Sequence, residues 1–195
     1  MTLPRVEDLY SFAYRGHLAT NAMEQLGVSR TQARAELQKL ERVAALGAMD
    51  PDLVADARRM GVVYIAIASF EKTLRNLVQS TMVEEYGDKW WKSKVSQRIR
   101  DKVDKRMAEE AKHRWHKTRG DSPLDYTDMT ELASIFLNHS DAFDHVITAD
   151  FEWLKQILHV IEKSRNVIMH SGELDLEDVE RIGINIRDWG RQVGL

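Results

Sequence analysis

Arg165, Asn166 and His170 stand close together, and their types suit proton and phosphate chemistry. An imidazole titrates near neutral pH, so His170 can take or give a proton under ordinary conditions. A guanidinium keeps its charge at any ordinary pH, and its planar fork matches two oxygens of a phosphate or a carboxylate. Asn166 can both donate and accept, and so can orient either group. Arg165 is also placed unusually. Phe151, Leu154, Leu158 and Ile161 step by three and four, and the next step of four lands on Arg165 before the stripe resumes at Ile168. A charge on an apolar seam is costly unless something pairs with it. Arg165 therefore snorkels, meets a carboxylate, or faces a cleft where a phosphate is expected. The bland reading of the same residues is a snorkelling arginine and a C-terminal histidine favoured by the helix dipole. Asn166 and His170, four apart, share a helix face, whereas Arg165 and His170, five apart, diverge by about 140°. Within one chain they point apart; a two-fold partner would bring both sets around one cleft.

Glu71 and Arg75 form a second constellation, four apart and off the apolar stripe of an earlier helix. They read either as a surface ion pair worth ~0.5 kcal/mol, or as a carboxylate that partners Arg165 or orients His170. A third is basic. From Lys89 to Arg119 there are twelve Lys and Arg against four acids (Asp101, Asp104, Glu109, Glu110), a local charge of +8 in a chain of net charge −3. Lys94, Arg98, Lys112, Arg114 and Lys117 are the candidates for phosphate contact there; the alternative is a solvated helix face. His113 and His116, three apart, could chelate a metal, but no carboxylate or thiolate is spaced to complete the site, so no metal is expected. Trp90 and Trp91, being adjacent, cannot both face one core; one is expected to be buried and the other to lie at a surface or interface.

Helices must position these groups. Residues 4–25 read as one helix with Gly27 behind it. The capping box Ser29-Arg30-Thr31-Gln32 opens a second, running to about Leu46, and together they make an α-hairpin over residues 1–49. Asp50-Pro51 starts the domain of residues 50–195 with an N-cap and a helix-compatible proline. Its first helix carries the stripe Met60, Val63, Ile67, Phe70, Leu74, Leu77, with Gly61 as a candidate interruption and Gly87 as its end. A basic helix is expected from Ser93 to about Lys117, along Val95, Ile99, Val103 and either Met107 or Arg106. Another is expected over Thr127–Asn138, with Met129, Leu132, Ile135 and Phe136 inward. Asp150 reads as the N-cap of the motif helix and Gly172 as its stop. Asp175 reads as the cap of a last helix carrying Val179, Ile182, Ile186 and Trp189.

Composition fits this all-α reading. The chain has 195 residues, 43% hydrophobic and 30% charged, three prolines and no cysteine. There is thus no thiolate for a zinc site, a disulfide or a nucleophile. No run approaches the ~20 apolar residues of a membrane span, and the first residues carry no apolar core of a secretory leader. A cytoplasmic protein with no membrane partner is the expectation.

Arg165-Asn166-Val167-Ile168-Met169-His170 resembles the Arg-x4-6-His motif of HEPN domains, in which a polar residue commonly follows the arginine. The similarity extends to Ser69-Phe70-Glu71-Lys72-Thr73-Leu74-Arg75-Asn76-Leu77, to Tyr86-Gly87-Asp88-Lys89-Trp90-Trp91 and to Tyr126-Thr127-Asp128-Met129, over roughly residues 60 to 190. These resemble a branch appended to a fungal nuclear mRNA-quality-control endonuclease and found as short bacterial proteins. HEPN toxins paired with nucleotidyltransferase antitoxins usually carry Tyr two residues after the histidine. Gly172 stands there and sets this chain apart from them.

The resemblance implies an all-α, HEPN-like helical bundle with the N-terminal hairpin as an extension. It implies a homodimeric, metal-independent endoribonuclease without cofactor, acting in stress or antiphage defence and restrained by an antitoxin or other regulatory protein. The 2′-hydroxyl of RNA would attack the adjacent phosphorus and leave a 2′,3′-cyclic phosphate and a 5′-hydroxyl. Arg165 would stabilise the phosphate, His170 move protons, Asn166 position, and Glu71 support. A non-catalytic HEPN adaptor that recruits a partner through residues 1–49 is the alternative, and a metal or nucleotide enzyme a weaker third reading.

Overall fold

A computed structural model describes residues 33–113, 115–147 and 151–193. The expected helix over residues 4–25, the Ser29 capping box, Arg114 and Asp150 lie outside them. Contacts divide the chain into two units, Met1–Ala55 and Asp56–Leu195. All regular structure among the described residues is helical, so the described part of the chain is all-α.

In the first unit a helix, α1, covers residues 33–43. It stops short of the expected Leu46: Ala45 turns left-handed (φ 55°) and a 3-10 turn follows at Leu46–Ala48. The Asp50 carboxylate accepts the Asp52 N–H at 2.9 Å, capping α2, Pro51–Tyr86. That helix runs unbroken through Gly61. Glycine costs a helix about 1 kcal/mol relative to alanine, and here burial beyond Gly61 outweighs it: Val63, Ile67, Phe70, Leu74, Val78 and Met82 are all buried. Gly87 ends it, left-handed at φ 71°, with its N–H on the Val83 carbonyl at 2.8 Å.

The basic stretch is not one helix. It is a short α3, Trp90–Lys94, and a longer α4, Gln97–Ala111, followed by a loop. Val95 breaks it by turning extended and burying its side chain. Arg100 then bridges the break. Its guanidinium donates to the carbonyls of Lys92 and of Val95 (2.8 Å), which α3 leaves unpaired. Trp90 is buried, and Trp91 packs partly exposed against the same core.

A 3-10 turn at Pro123–Tyr126 packs on α4 and leads to α5, Met129–Asn138. α5 starts at a capping box between Asp128 and Glu131. The short α6, Ser140–Phe143, then leads to α7, Phe151–Met169, and α8, Leu176–Val193, capped by Asp175. α5 packs on α7, and α7 on α8. Met129, Leu132, Ile135, Phe136, Ile182 and Trp189 are buried where the stripes put them. Aromatic edges knit the centre: Trp189 meets Phe70 at 5.5 Å and Phe136 at 5.9 Å.

Candidate functional site

α7 carries the Arg-Asn-x-x-x-His residues, and its buried seam passes beside Arg165 rather than through it. Ile157, Ile161 and Ser164 are buried, and the Ser164 hydroxyl returns its hydrogen bond to the Val160 carbonyl at 2.9 Å. With the small serine on the seam, Arg165 comes to its margin, 36% exposed. There it meets Glu71 of α2: Arg165 Nε lies 3.4 Å from Glu71 Oε2. The other Glu71 oxygen accepts from Arg75. Glu71 thus makes both of the ion pairs that the sequence leaves as alternatives.

The arginines on either side of this carboxylate have different surroundings. Arg75 is only 14% exposed and its two terminal nitrogens are saturated: besides Glu71 they donate to the Leu124 carbonyl, the Thr127 hydroxyl (2.7 Å) and the Thr127 carbonyl (2.9 Å). Arg106 of α4 does the same from the other side, on the Tyr126 carbonyl at 2.9 Å and on Glu131 and Asp128. Burial alone would raise the Glu131 pKa. Hydrogen bonds from Arg106, the Asp128 N–H and Lys102 outweigh it and hold that carboxyl below its ordinary range. The two arginines therefore clamp the Pro123–Glu131 segment to α2 and α4.

A cleft of about 820 Å³ opens over this clamp. Lys72, Arg75, Arg106, Arg119 and Arg165 line it against Glu71, Asp125 and Asp128, leaving a cationic surplus, and Tyr64 and Met169 add apolar wall. Among the described residues nothing pairs with Lys72 or with the two terminal nitrogens of Arg165. They are donors the cleft can offer a ligand, beside the terminal nitrogens of Arg119, whose Nε is taken by Glu110. A phosphate, with two oxygens for the planar Arg165 fork and another for the Lys72 ammonium, fits them.

Asn166 and His170 do not line the cleft; both are exposed. His170 follows the last residue of α7, and its N–H is shared between the Asn166 and Val167 carbonyls at 3.2 Å each. The helix does not stop at Gly172 in the expected way. Ser171 takes the left-handed position, φ 60°, and donates to Ile168, while Gly172 donates back to Val167 at 2.9 Å, a Schellman ending. The chain then rests on α2, where the Leu174 N–H meets the Met60 sulfur at 3.3 Å.

The basic-stretch candidates lie elsewhere. The Lys94 ammonium sits 4.2 Å above the Tyr86 ring, Arg98 is exposed, and Lys112 pairs with Glu109 at 2.7 Å. Lys117 lies in the loop after α4, and none of these four borders the Arg165 cleft. Lys72, Arg106 and Arg119 do, although the sequence reading does not single them out. A signal for Arg106 was present: like Arg165 it falls on an apolar stripe, and Asp128-Met129-Thr130-Glu131 is a capping box with a carboxylate to receive it. No three His, Asp or Glu among the described residues are grouped to hold a metal ion, and no helix among them is long and apolar enough to cross a membrane. Comparison with models of protein families, with curated proteins and with solved structures finds no match to this chain.

Proposed function

We propose that the protein is a metal-independent endoribonuclease of the HEPN type, working as a homodimer. The observation that carries this is Arg165, held by Glu71 at the edge of a cationic cleft with its two terminal nitrogens unpaired. Arg165 binds the scissile phosphate and stabilises the charge that develops on it. His170 takes the proton of the 2′-hydroxyl. That oxygen then attacks phosphorus, the 5′ oxygen leaves with the proton that the histidine has taken, and a 2′,3′-cyclic phosphate remains. Asn166 orients the histidine or the phosphate. Because Asn166 and His170 stand outside the cleft of their own chain, the histidines come from a two-fold arrangement. In the cell such an activity requires restraint by a regulatory protein, as in toxin or antiphage systems.

Labelled single-stranded RNA and matched DNA, incubated with the purified chain in excess EDTA, test this. RNA alone is cut, with cyclic-phosphate ends, and Arg165→Ala and His170→Ala each lose about a hundredfold or more in rate. Equal cutting by the variants, or cutting only with added metal, overturns it. The exposure of Asn166 and His170 also favours a second reading, a helical adaptor without catalysis. Under that reading no RNA is cut, and both variants keep their partner binding.

A further inference from the structure

Beyond α4 the chain runs through Lys112, His113, Arg114, Trp115, His116, Lys117, Thr118 and Arg119, with no acid among them. Trp115 is 83% exposed, more than any other large hydrophobic side chain among the described residues. Its loop is pinned at both ends by one residue. The His113 N–H donates to the Glu110 carbonyl at 2.9 Å, and the Arg119 N–H and guanidinium both engage the Glu110 carboxylate, at 3.1 and 2.5 Å. His116 and His113 stand edge-on to the indole, at 5.5 and 6.3 Å between ring centres. The neighbouring acids are already engaged, Glu110 by Arg119 and Glu109 by Lys112. A second cavity of about 590 Å³ lies against the indole, bordered by His113, His116, Lys117 and Arg119. Arg119 also lines the Arg165 cleft, so the two cavities share a cation.

An indole held open to water amid cations suits a ligand with a flat apolar face and a negative backbone. Single-stranded nucleic acid has both, and every base can stack. A duplex does not, because its base faces are already stacked. We propose that Trp115 is a base-stacking platform on a single-stranded RNA path that leads from the Arg165 cleft past Arg119; the choice of RNA rests on the endoribonuclease reading above. The loop positions substrate and takes no part in the chemistry.

The test is the affinity of the full chain for a fluorescent 2′-O-methyl oligouridylate of about eight nucleotides, which fits the usual site size and cannot be cut. Trp115→Ala weakens binding about tenfold or more, and Trp115→Phe keeps most of it. Neither changes the salt slope, whereas Lys117→Ala flattens it. A matched duplex binds more weakly and ignores Trp115→Ala. The platform is overturned if Trp115→Ala binds like the wild type, if Phe is as poor as Ala, or if the duplex binds equally well. Its failure is separable from that of the cleavage reading. Loss of affinity in Trp115→Ala by a protein that cuts no RNA keeps the platform and sinks the nuclease. RNA cutting by a chain indifferent to Trp115→Ala does the reverse and leaves the indole to a protein partner.

Discussion

Glu71 sits between two cations with different tasks. Arg75 is a structural arginine: its donors go to a backbone turn, and it would keep most of them without the carboxylate. Arg165 has only Glu71 to hold it among the described residues. Glu71→Gln removes one negative charge from the cleft and loosens Arg165. On the proposed function the two consequences run in opposite directions. RNA binding tightens, by a few-fold at low salt, because the cleft gains net positive charge. Turnover of bound RNA falls about tenfold or more, because the fork no longer points where charge develops. A titration of uncleavable RNA and a single-turnover rate measured on the same variant separate these effects. A purely structural Glu71 would change thermal stability and leave both unmoved per folded molecule.

At the scale of the element, the end of α7 decides where His170 stands, and two adjacent residues set it by different physics. Ser171 carries a side chain in a left-handed conformation that favours glycine. Gly172 has no need of a positive φ, but a Cβ there would lie 2.7 Å from Val167 Cγ1 and 3.0 Å from the Val167 carbonyl oxygen. Neighbouring substitutions should therefore have opposite signs. Ser171→Gly stabilises by about 0.5–1 kcal/mol, and Gly172→Ala destabilises by about 1 kcal/mol, read from urea midpoints at unchanged slope. The sequence shows that the chain turns here but not which residue turns. A stop signal is local, whereas the clash at Gly172 depends on a hydrogen bond formed only once the helix has ended. The split between α3 and α4 was illegible for a related reason. Nothing from Ser93 to Lys117 breaks a helix by propensity, and the break follows from burying Val95 and from Arg100 satisfying the carbonyls that the break exposes. The stripes on α2, α5 and α8 were legible because burial follows a 3.6-residue period whatever the loops do.

For the whole molecule, the candidate site was legible as a list of residues but not as a place. Spacing indicates that Arg165 and His170 point apart, and the structure agrees in its own terms: Arg165 lines the cationic cleft and His170 does not. The basic residues that shape the cleft come from α2, α4 and the loop before Pro123, so no single stretch of sequence announces them. If one chain supplies the phosphate clamp and another the histidine, neither residue's loss need be complete in a mixed assembly. Arg165→Ala and His170→Ala chains, each inactive alone, are unfolded together and refolded as a mixture. The mixed dimers then hold one intact Arg165 and one intact His170 on opposite chains. Activity returns to a fraction of wild type, about a quarter if chains pair at random and each mixed dimer keeps one of its two arrangements. The recovered rate rises with the square of the mixed-chain concentration until dimers saturate. A mixture as silent as its parts, from chains that sediment as dimers, would place the histidine and arginine of one chain in the same reaction and remove the two-fold arrangement from the mechanism.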